Sequence, residues 1–118
     1  MELHESVAEL ARGFEESSRM LTAIGDETRQ HLILEMLKIG DCRGVRVCDM
    51  TKTTNLSRPA VSHHLQIMKN AGIVKSRKEG TKVYYYFDPG TEAFKKLVST
   101  LNLAMEISKE LPDRRGEE

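Results

Sequence analysis

The sequence predicts a mainly α-helical protein with one small β-hairpin (an α+β fold), in the order α-α-α-α-β-β-α. Two observations support this prediction. Apolar residues recur at helical spacing along most of the chain, and two runs rich in β-branched and aromatic residues flank position 80. A length of 118 residues suits one domain. We place that domain at residues 1–112 and a polar C-terminal tail at residues 113–118.

Two helices are predicted in the first third of the chain. Helical spacing of apolar residues indicates a first helix over residues 3–14, and a short link at residues 17–18 follows it. Asp26 is a good N-cap for the second helix, because its carboxylate can accept a backbone N–H of the first turn. We expect the second helix to end at Gly40, since glycine commonly terminates helices.

A connector, a short helix and a turn come next. Residues 42–47 form the connector, in which Val45 and Val47 could form a very short strand. Residues 49–54 are predicted as a short helix and residues 55–56 as a turn. A longer helix should follow directly, so this part of the chain is a candidate helix-turn-helix.

The longer helix is predicted to start after Ser57, its N-cap, and to end at Gly72. Its inward-facing residues are Val61, Leu65, Met68 and Ala71. A hairpin of residues 73–77 and 82–87, joined by a turn at 78–81, comes directly after it, and a last helix covers residues 91–111. A hairpin in this position is a wing. The predicted architecture is therefore a winged helix-turn-helix.

The charge distribution indicates a nucleic-acid partner although the net charge does not. The formal net charge is zero, with 18 basic and 18 acidic residues. Between Lys52 and Lys82, however, seven basic residues face one acid, Glu79. Basic patches of this kind attract the phosphates of DNA. This basic segment coincides with the predicted helix-turn-helix and wing.

The longer helix carries side chains suited to base edges. A helix of about 14 residues spans about 21 Å, whereas the major groove is about 12 Å wide, so only the N-terminal turns can reach the bases. Arg can form two bonds with guanine, Gln can do so with adenine, and Ser can bond a base or a phosphate. We therefore expect double-stranded DNA as the partner, contacted by Thr54, Ser57, Arg58, Pro59, Ser62, His63, Gln66 and Lys69.

The hairpin tip offers further DNA contacts. Arg77, Lys78 and Lys82 are placed to reach the backbone or the adjoining minor groove. The three consecutive tyrosines at 84–86 should alternate between the two faces of the hairpin, with Tyr85 on one face and its two neighbours on the other.

Three segments give the chain a resemblance to the ArsR/SmtB family of winged helix-turn-helix repressors. They are LTAIGDETRQHLIL at 21–34, SRPAVSHHLQIMKNAGIV at 57–74 and RKEGTKVYY at 77–85. Together with the intervening order of elements, the resemblance covers residues 20–105. It implies a homodimer formed by the first and last helices, which binds a palindromic operator and is released by a ligand.

The last helix also suggests a dimer from its own pattern. It has a second apolar row, Leu103, Ile107 and Leu111, beyond what one side of a small domain can bury, and surplus apolar surface usually marks an interface. Two-fold symmetry would place two recognition helices about 34 Å apart, on successive major grooves. We assign to the dimer interface Leu3, Val7, Leu10, Phe14, Leu97, Leu101 and Met105.

No metal site and no cofactor are expected. Where metal-sensing relatives have Cys-Val-Cys-Asp, this chain has Arg46-Val47-Cys48-Asp49, so a cation replaces the first thiolate. Residues 91–111 contain neither His nor Cys, so the ligands of the zinc-sensing type are missing too. His64 is interpreted as a scaffold residue or a phosphate contact. An alternative is a metal or redox sensor that uses Cys42 and Cys48.

Other classes of function fit the sequence less well. A winged helix can serve as a protein-interaction module, but such a module would not require the basic segment. An enzyme would need a converging nucleophile, base and orienting group, and only Cys48 with a histidine of the longer helix offers a start. The chain has no apolar run long enough for a membrane span and no signal-peptide pattern at its start, so we expect a cytoplasmic protein without a membrane partner.

Overall fold

The computed structural model describes residues 2–40 and 43–116 of the chain. Within these residues it has six helices and one antiparallel hairpin, and the hairpin lies between the last two helices as predicted. The elements are α1 (Leu3–Glu16), α2 (Ser18–Ile24), α3 (Glu27–Gly40), α4 (Val47–Thr54), α5 (Arg58–Ala71), β1 (Val74–Glu79), β2 (Lys82–Phe87) and α6 (Glu92–Glu110). The mainly helical winged fold is confirmed, with one helix more than predicted.

The additional helix is α2, which lies where the sequence suggested only a link. Ser17 leaves the helical conformation (φ −96°, ψ 5°), which ends α1 and lets the chain turn. α2 then buries Met20 and Ala23, which lie three residues apart on one face. The sequence pattern missed this helix because seven residues are too few for a clear period.

The connector before α4 is tied to the wing. Val45 and Tyr85 exchange two backbone hydrogen bonds of 2.8 Å each, which form an isolated bridge where a very short strand was considered. α4 begins at Val47, two residues earlier than predicted. The earlier start follows from Asp49, whose carboxylate accepts the backbone N–H of Arg46 at 3.0 Å and so caps the first turn.

Capping residues fix the ends of the other helices where the sequence placed them. The carboxylate of Asp26 accepts the N–H of Arg29 at 3.0 Å, which caps α3. The hydroxyl of Ser57 accepts the N–H of Ala60 at 3.2 Å, which caps α5. Gly72 ends α5 with a φ of 89°, a conformation that glycine adopts without strain.

The hydrophobic core lies between α2, α3, α4, α5 and the hairpin. The four residues predicted to face inward from α5 are all buried. α6 contributes Leu97, which is only 4% exposed. The other buried apolar side chains of this core include Met20, Leu32, Met36, Val45, Met50, Ile73 and Val74. Burying each large side chain stabilises the fold by about 1.5–3 kcal/mol, so this cluster holds α5 firmly in place.

α1 packs along α6 beside this core. The two helices approach so closely that a Cβ atom at Gly13 would overlap the side chain of Thr100. Glu16 and Lys96 link the helices through an ion pair of 3.1 Å. Ile107 of α6 is buried in the single chain. In the second apolar row, Ile107 is therefore not surplus surface, whereas Leu103 and Leu111 are half-buried.

The exposed apolar residues of α1 and α6 include four that the sequence assigned to the dimer interface. Val7 and Phe14 on α1 are 48% and 39% exposed, and Leu101 and Met105 on α6 are 45% and 64% exposed. We call these four residues the α1–α6 apolar surface. Leu3 and Leu10 are half-buried. Leu97 belongs to the core instead, so its side chain is not available to a second subunit as the sequence analysis expected.

Candidate nucleic-acid interface

The helix-turn-helix consists of α4, a three-residue turn and α5. Asn55 makes the turn with a φ of 58°, a left-handed conformation that asparagine tolerates better than most residues. The hydroxyl of Thr54, a predicted DNA contact, donates to the carbonyl of Met50 at 2.6 Å and accepts from the N–H of Leu56 at 3.4 Å. Thr54 therefore closes the turn rather than offering a free hydroxyl.

The first two turns of α5 expose most of the predicted DNA contacts. Arg58, Pro59, Ser62 and His63 are all exposed. The Ser57 hydroxyl is used in the cap, which leaves its backbone at the start of the helix. Within the described residues, the guanidinium of Arg58 forms no hydrogen bond and no ion pair, so it is free to bind a ligand. The N-terminal half of α5 thus presents an unpaired cation and a hydroxyl to solvent.

The second half of α5 is less available. The side-chain amide of Gln66 donates to Oδ1 of Asn70 at 2.9 Å, so one of its two N–H donors is occupied in this structure. Lys69 is exposed near the C-terminal end of the helix. These two predicted contacts lie farther along the helix than Arg58 and Ser62, where the geometry of the major groove favours backbone contacts over bases.

The two faces of the wing differ in character. Two residues that lie directly opposite each other in an antiparallel pair project from the same face of the sheet. Lys78 is opposite Val83, so these two side chains share one face of the wing. Tyr85, two residues beyond Val83, shares that face, and both side chains line the space between the wing and α5. Lys78 therefore lies on the face of the wing that is turned toward α5. Tyr84 lies on the other face, which confirms the predicted alternation of the tyrosines.

Arg77 is bound to other parts of the protein, although its side chain is 40% exposed. Its guanidinium donates to Glu79 at 3.1 Å and to the backbone carbonyl of Arg43, and it stacks 4.9 Å from the ring centre of Tyr84. Gly44 lies against this group, with a φ of 123° and no room for a Cβ. Arg77 thus links the connector to the wing, and its role as a DNA contact stays a prediction.

A cleft of about 250 Å³ lies where α4, α5 and the wing meet. We call it the wing cleft. Arg58 and Ser62 of α5 meet Thr81 of the wing turn there. The residues that line it include Arg46, Cys48, Arg58, Ser62, Thr81 and Tyr85. The structure thus brings the first turns of α5 and the wing onto one side of the molecule, as the sequence analysis required. Lys82, at the start of β2, is exposed beside Thr81.

α5 is anchored from behind by Arg29, a residue that sequence reasoning missed. Arg29 is 9% exposed. Its guanidinium donates to the carbonyls of Ala23 at 2.8 Å and Thr22 at 3.1 Å, at the C-terminal end of α2. A third bond, of 3.3 Å, goes to Nδ1 of His64 on α5. The arginine carries no local signal of burial, because its partners are backbone carbonyls and a residue distant in sequence.

His64 is accordingly a scaffold residue in this structure. An arginine can only donate, so Nδ1 of His64 must accept, which requires the neutral imidazole. Burial lowers the pKa of His64 from its usual value, and the charge of Arg29 lowers it further. His63 beside it is exposed, with ring centres 5.8 Å apart.

The structure describes only one of the two proposed sensor cysteines. Cys42 lies outside the described residues, and Cys48 is a free, half-buried thiol. Within residues 2–40 and 43–116, no three His, Cys, Asp or Glu side chains are grouped closely enough to hold a metal ion. In the same part of the chain, no helix has the length and apolar character needed to cross a membrane.

Comparisons with known proteins agree with this geometry. Residues 26–76 match the family model described as bacterial regulatory protein, arsR family. An uncharacterized HTH-type transcriptional regulator of Methanocaldococcus jannaschii is 39% identical over 89 residues, which are 75% of this chain and 97% of that protein. The transcriptional repressor SdpR of Bacillus subtilis is 37% identical over 68 residues, 58% of this chain and 71% of that protein.

The fold also matches solved structures. One is the solution structure of a homodimeric winged helix-turn-helix DNA-binding domain from Mycobacterium bovis, a possible ArsR-family regulator. It aligns with a TM-score of 0.57 at 19% identity and covers 92% of each chain. At this identity the match establishes the shared fold.

Proposed function

The chain belongs to the ArsR family of winged helix-turn-helix transcriptional regulators, and we propose that it represses transcription as a homodimer bound to a palindromic operator. In this proposal the first turns of α5 enter the major groove and the wing lies along the backbone. A dimer seated on a promoter blocks access by the transcription machinery. The SdpR relative is itself named a repressor, which supports this direction of control.

One observation supports the DNA contact above all others. Arg58 and Ser62 on α5 and Thr81 on the wing line one cleft, so two structurally separate elements present polar groups to the same side. No acidic residue lies between Lys52 and Lys78, so this side attracts a polyanion. Arg58 is suited to a bidentate contact with guanine, and Ser62 follows it one turn later.

The α1–α6 apolar surface supports the homodimer. Four large apolar side chains exposed on two packed helices lose contact with water if a second copy covers them. The homodimeric assembly of the related Mycobacterium bovis domain is consistent with this arrangement. A two-fold axis through this surface would set two α5 helices on successive major grooves, about 34 Å apart.

The proposed function also has consequences for the compartment and for catalysis. We infer that it acts in the cytoplasm, where it meets its operator, and that it carries out no reaction of its own.

The DNA contact can be tested with two variants that should affect operator and random DNA differently. The operator would first be selected from random duplexes with the purified protein. Arg58→Ala should weaken operator binding by about 1–3 kcal/mol and leave binding to random DNA less affected, because a base contact is lost. Lys78→Ala should weaken both DNAs alike and reduce the slope of log affinity against log salt by about 1.

Arg114→Ala is the matched control, since it removes an exposed guanidinium outside the helices and strands. Fluorescence anisotropy at several salt concentrations measures all four proteins. A wild-type protein that binds neither operator nor random DNA at low salt would refute the proposal and favour a protein-interaction module instead.

A further inference from the structure

The wing cleft contains a cation that the DNA-contact assignment above does not use. Arg46 lies immediately before α4 and lines the cleft together with Arg58, Ser62 and Thr81. The sequence analysis considered Arg46 only as the replacement for a metal-binding cysteine. It lies outside the basic segment that starts at Lys52, so charge counting did not select it.

The backbone around Arg46 is fixed on both sides. Val45, the preceding residue, is bonded twice to Tyr85 of the wing. The N–H of Arg46 itself is held by Asp49 in the first turn of α4. The position of the Arg46 side chain at the cleft is therefore set by the fold, and binding of a ligand there would cost little backbone entropy.

The cleft has the chemistry of an oxyanion site. Within the described residues, neither Arg46 nor Arg58 forms an ion pair, so two guanidinium groups share one cleft without compensation. The hydroxyls of Ser62 and Thr81 line the same space, and neither takes part in a hydrogen bond among the described residues. Guanidinium groups bind phosphate oxygens through two parallel hydrogen bonds, and hydroxyls add further donors.

We propose that the wing cleft binds one phosphate group of the DNA backbone, with Arg46 as its main ligand. This inference rests on the proposed function and adds a contact to it. A backbone phosphate is the source that fits the place, because the cleft opens between the two elements that would lie against one DNA strand. Arg46 then fixes the distance between α5 and the wing on that strand, while Arg58 remains available for a base.

The salt dependence of DNA binding tests this assignment. Arg46→Ala should reduce the slope of log affinity against log salt by about 0.9 and lower the affinity about five- to tenfold near 0.1 M salt. The loss should be equal for the selected operator and for random duplex, which distinguishes a phosphate contact from a base contact. Arg46→Lys keeps the charge and should keep the slope, with a smaller loss of affinity.

The controls distinguish a failure of the cleft assignment from a failure of the proposed function. Arg114→Ala should leave the slope unchanged, and thermal melting should show that the Arg46 variants remain folded, since the Arg46 side chain forms no ion pair with the residues that the structure describes. If the wild type binds DNA and Arg46→Ala binds with the same slope and affinity, the cleft assignment is wrong and the proposed function stands. If the wild type binds no DNA, the proposed function itself fails.

A second measurement identifies the source of the phosphate. Cys48 lines the same cleft, so its rate of alkylation by iodoacetamide reports occupancy. In a Cys42→Ser background, random duplex DNA should slow the alkylation of Cys48, and millimolar inorganic phosphate should not. Protection by inorganic phosphate at that concentration, with none by DNA, would overturn the assignment to the DNA backbone.

Discussion

Two exposed surfaces of this protein, the N-terminal half of α5 and the α1–α6 apolar surface, present opposite chemistry to solvent. On α5 the exposed residues are polar or basic, among them Arg58, Ser62 and His63. On α1 and α6 they are large and apolar, and Met105 reaches 64% exposure. Both surfaces come from amphipathic helices. On α5 the chain covers the apolar side, whereas on α1 and α6 it leaves part of the apolar side open.

The difference indicates two kinds of partner. A polar, basic surface gains little from burial against another protein, because each unpaired charge would be desolvated at a cost. It gains from a hydrated polyanion, where phosphates replace the lost water. An apolar surface gains from burial itself, at about 25 cal/mol per Å² removed from water. One surface is therefore suited to DNA and the other to a second copy of the chain.

The largest expected effect comes from breaking the apolar surface. The double variant Leu101→Glu/Met105→Glu should be a monomer, because four carboxylates would meet across a two-fold axis. A monomer engages one half-site, so operator affinity should fall about 100-fold or more. Sedimentation velocity gives the mass, and anisotropy gives the affinity.

Leu34→Glu is the control for this experiment, because Leu34 is 54% exposed on α3, outside the apolar surface. It should remain a dimer with unchanged affinity. A dimeric double variant would show that the two copies associate through a different surface. The assignment of the α1–α6 apolar surface to a second copy of the chain would then be wrong.

An intermediate effect is expected from the buried support of α5. Arg29→Met should lower the free energy of unfolding by about 2–3 kcal/mol, because the carbonyls of Thr22 and Ala23 lose their donors. Arg58→Met, on the exposed side, should change it by less than about 0.5 kcal/mol. Urea titration measures both. Equal stability of the two variants would mean that the bonds of Arg29 to α2 and to His64 of α5 do not stabilise the fold.

The sequence predicts the exposed position of Arg58 but not the buried position of Arg29, for a physical reason. Helix caps and inward-facing stripes are local patterns, so Ser57, Gly72 and the buried face of α5 were identified correctly. Each of Arg29 and Arg77 also has one partner that is distant in sequence. The guanidinium of Arg29 bonds His64, and that of Arg77 donates to the carbonyl of Arg43, 34 residues away. Guanidinium groups that bond backbone carbonyls leave no sequence signature, since every residue has a carbonyl.

The same limit applies to the dimer surface and to the wing cleft. Periodicity predicted that α6 has more apolar residues than one side can bury, but not which of them are buried within the chain. Leu97 and Ile107 are buried within the chain, whereas Leu101 and Met105 are not. Arg46 was overlooked because its place at the cleft depends on the bridge between Val45 and Tyr85, a pairing of residues 40 positions apart.

The smallest expected effect is a pH dependence at the support of α5. His64 accepts a bond from Arg29 only when it is neutral, and burial lowers the pKa of His64 in the folded protein. The unfolded chain therefore binds a proton more readily than the folded chain near pH 6.5. The stability contributed by neutral His64 is fully present above that pH. It is lost as the pH falls through 6.5 toward the lower pKa of the folded state.

The charged groups around His64 set the sign of this effect. Arg29 opposes protonation, His63 on the same helix opposes it weakly, and Asp26 on the far side of Arg29 favours it. His64→Gln removes the titration, so urea denaturation of both proteins at pH 5.5 and 7.5 isolates it from the other histidines. The wild type should lose more stability than His64→Gln on acidification. If the two lose the same amount, protonation of His64 does not weaken the link between Arg29 and α5.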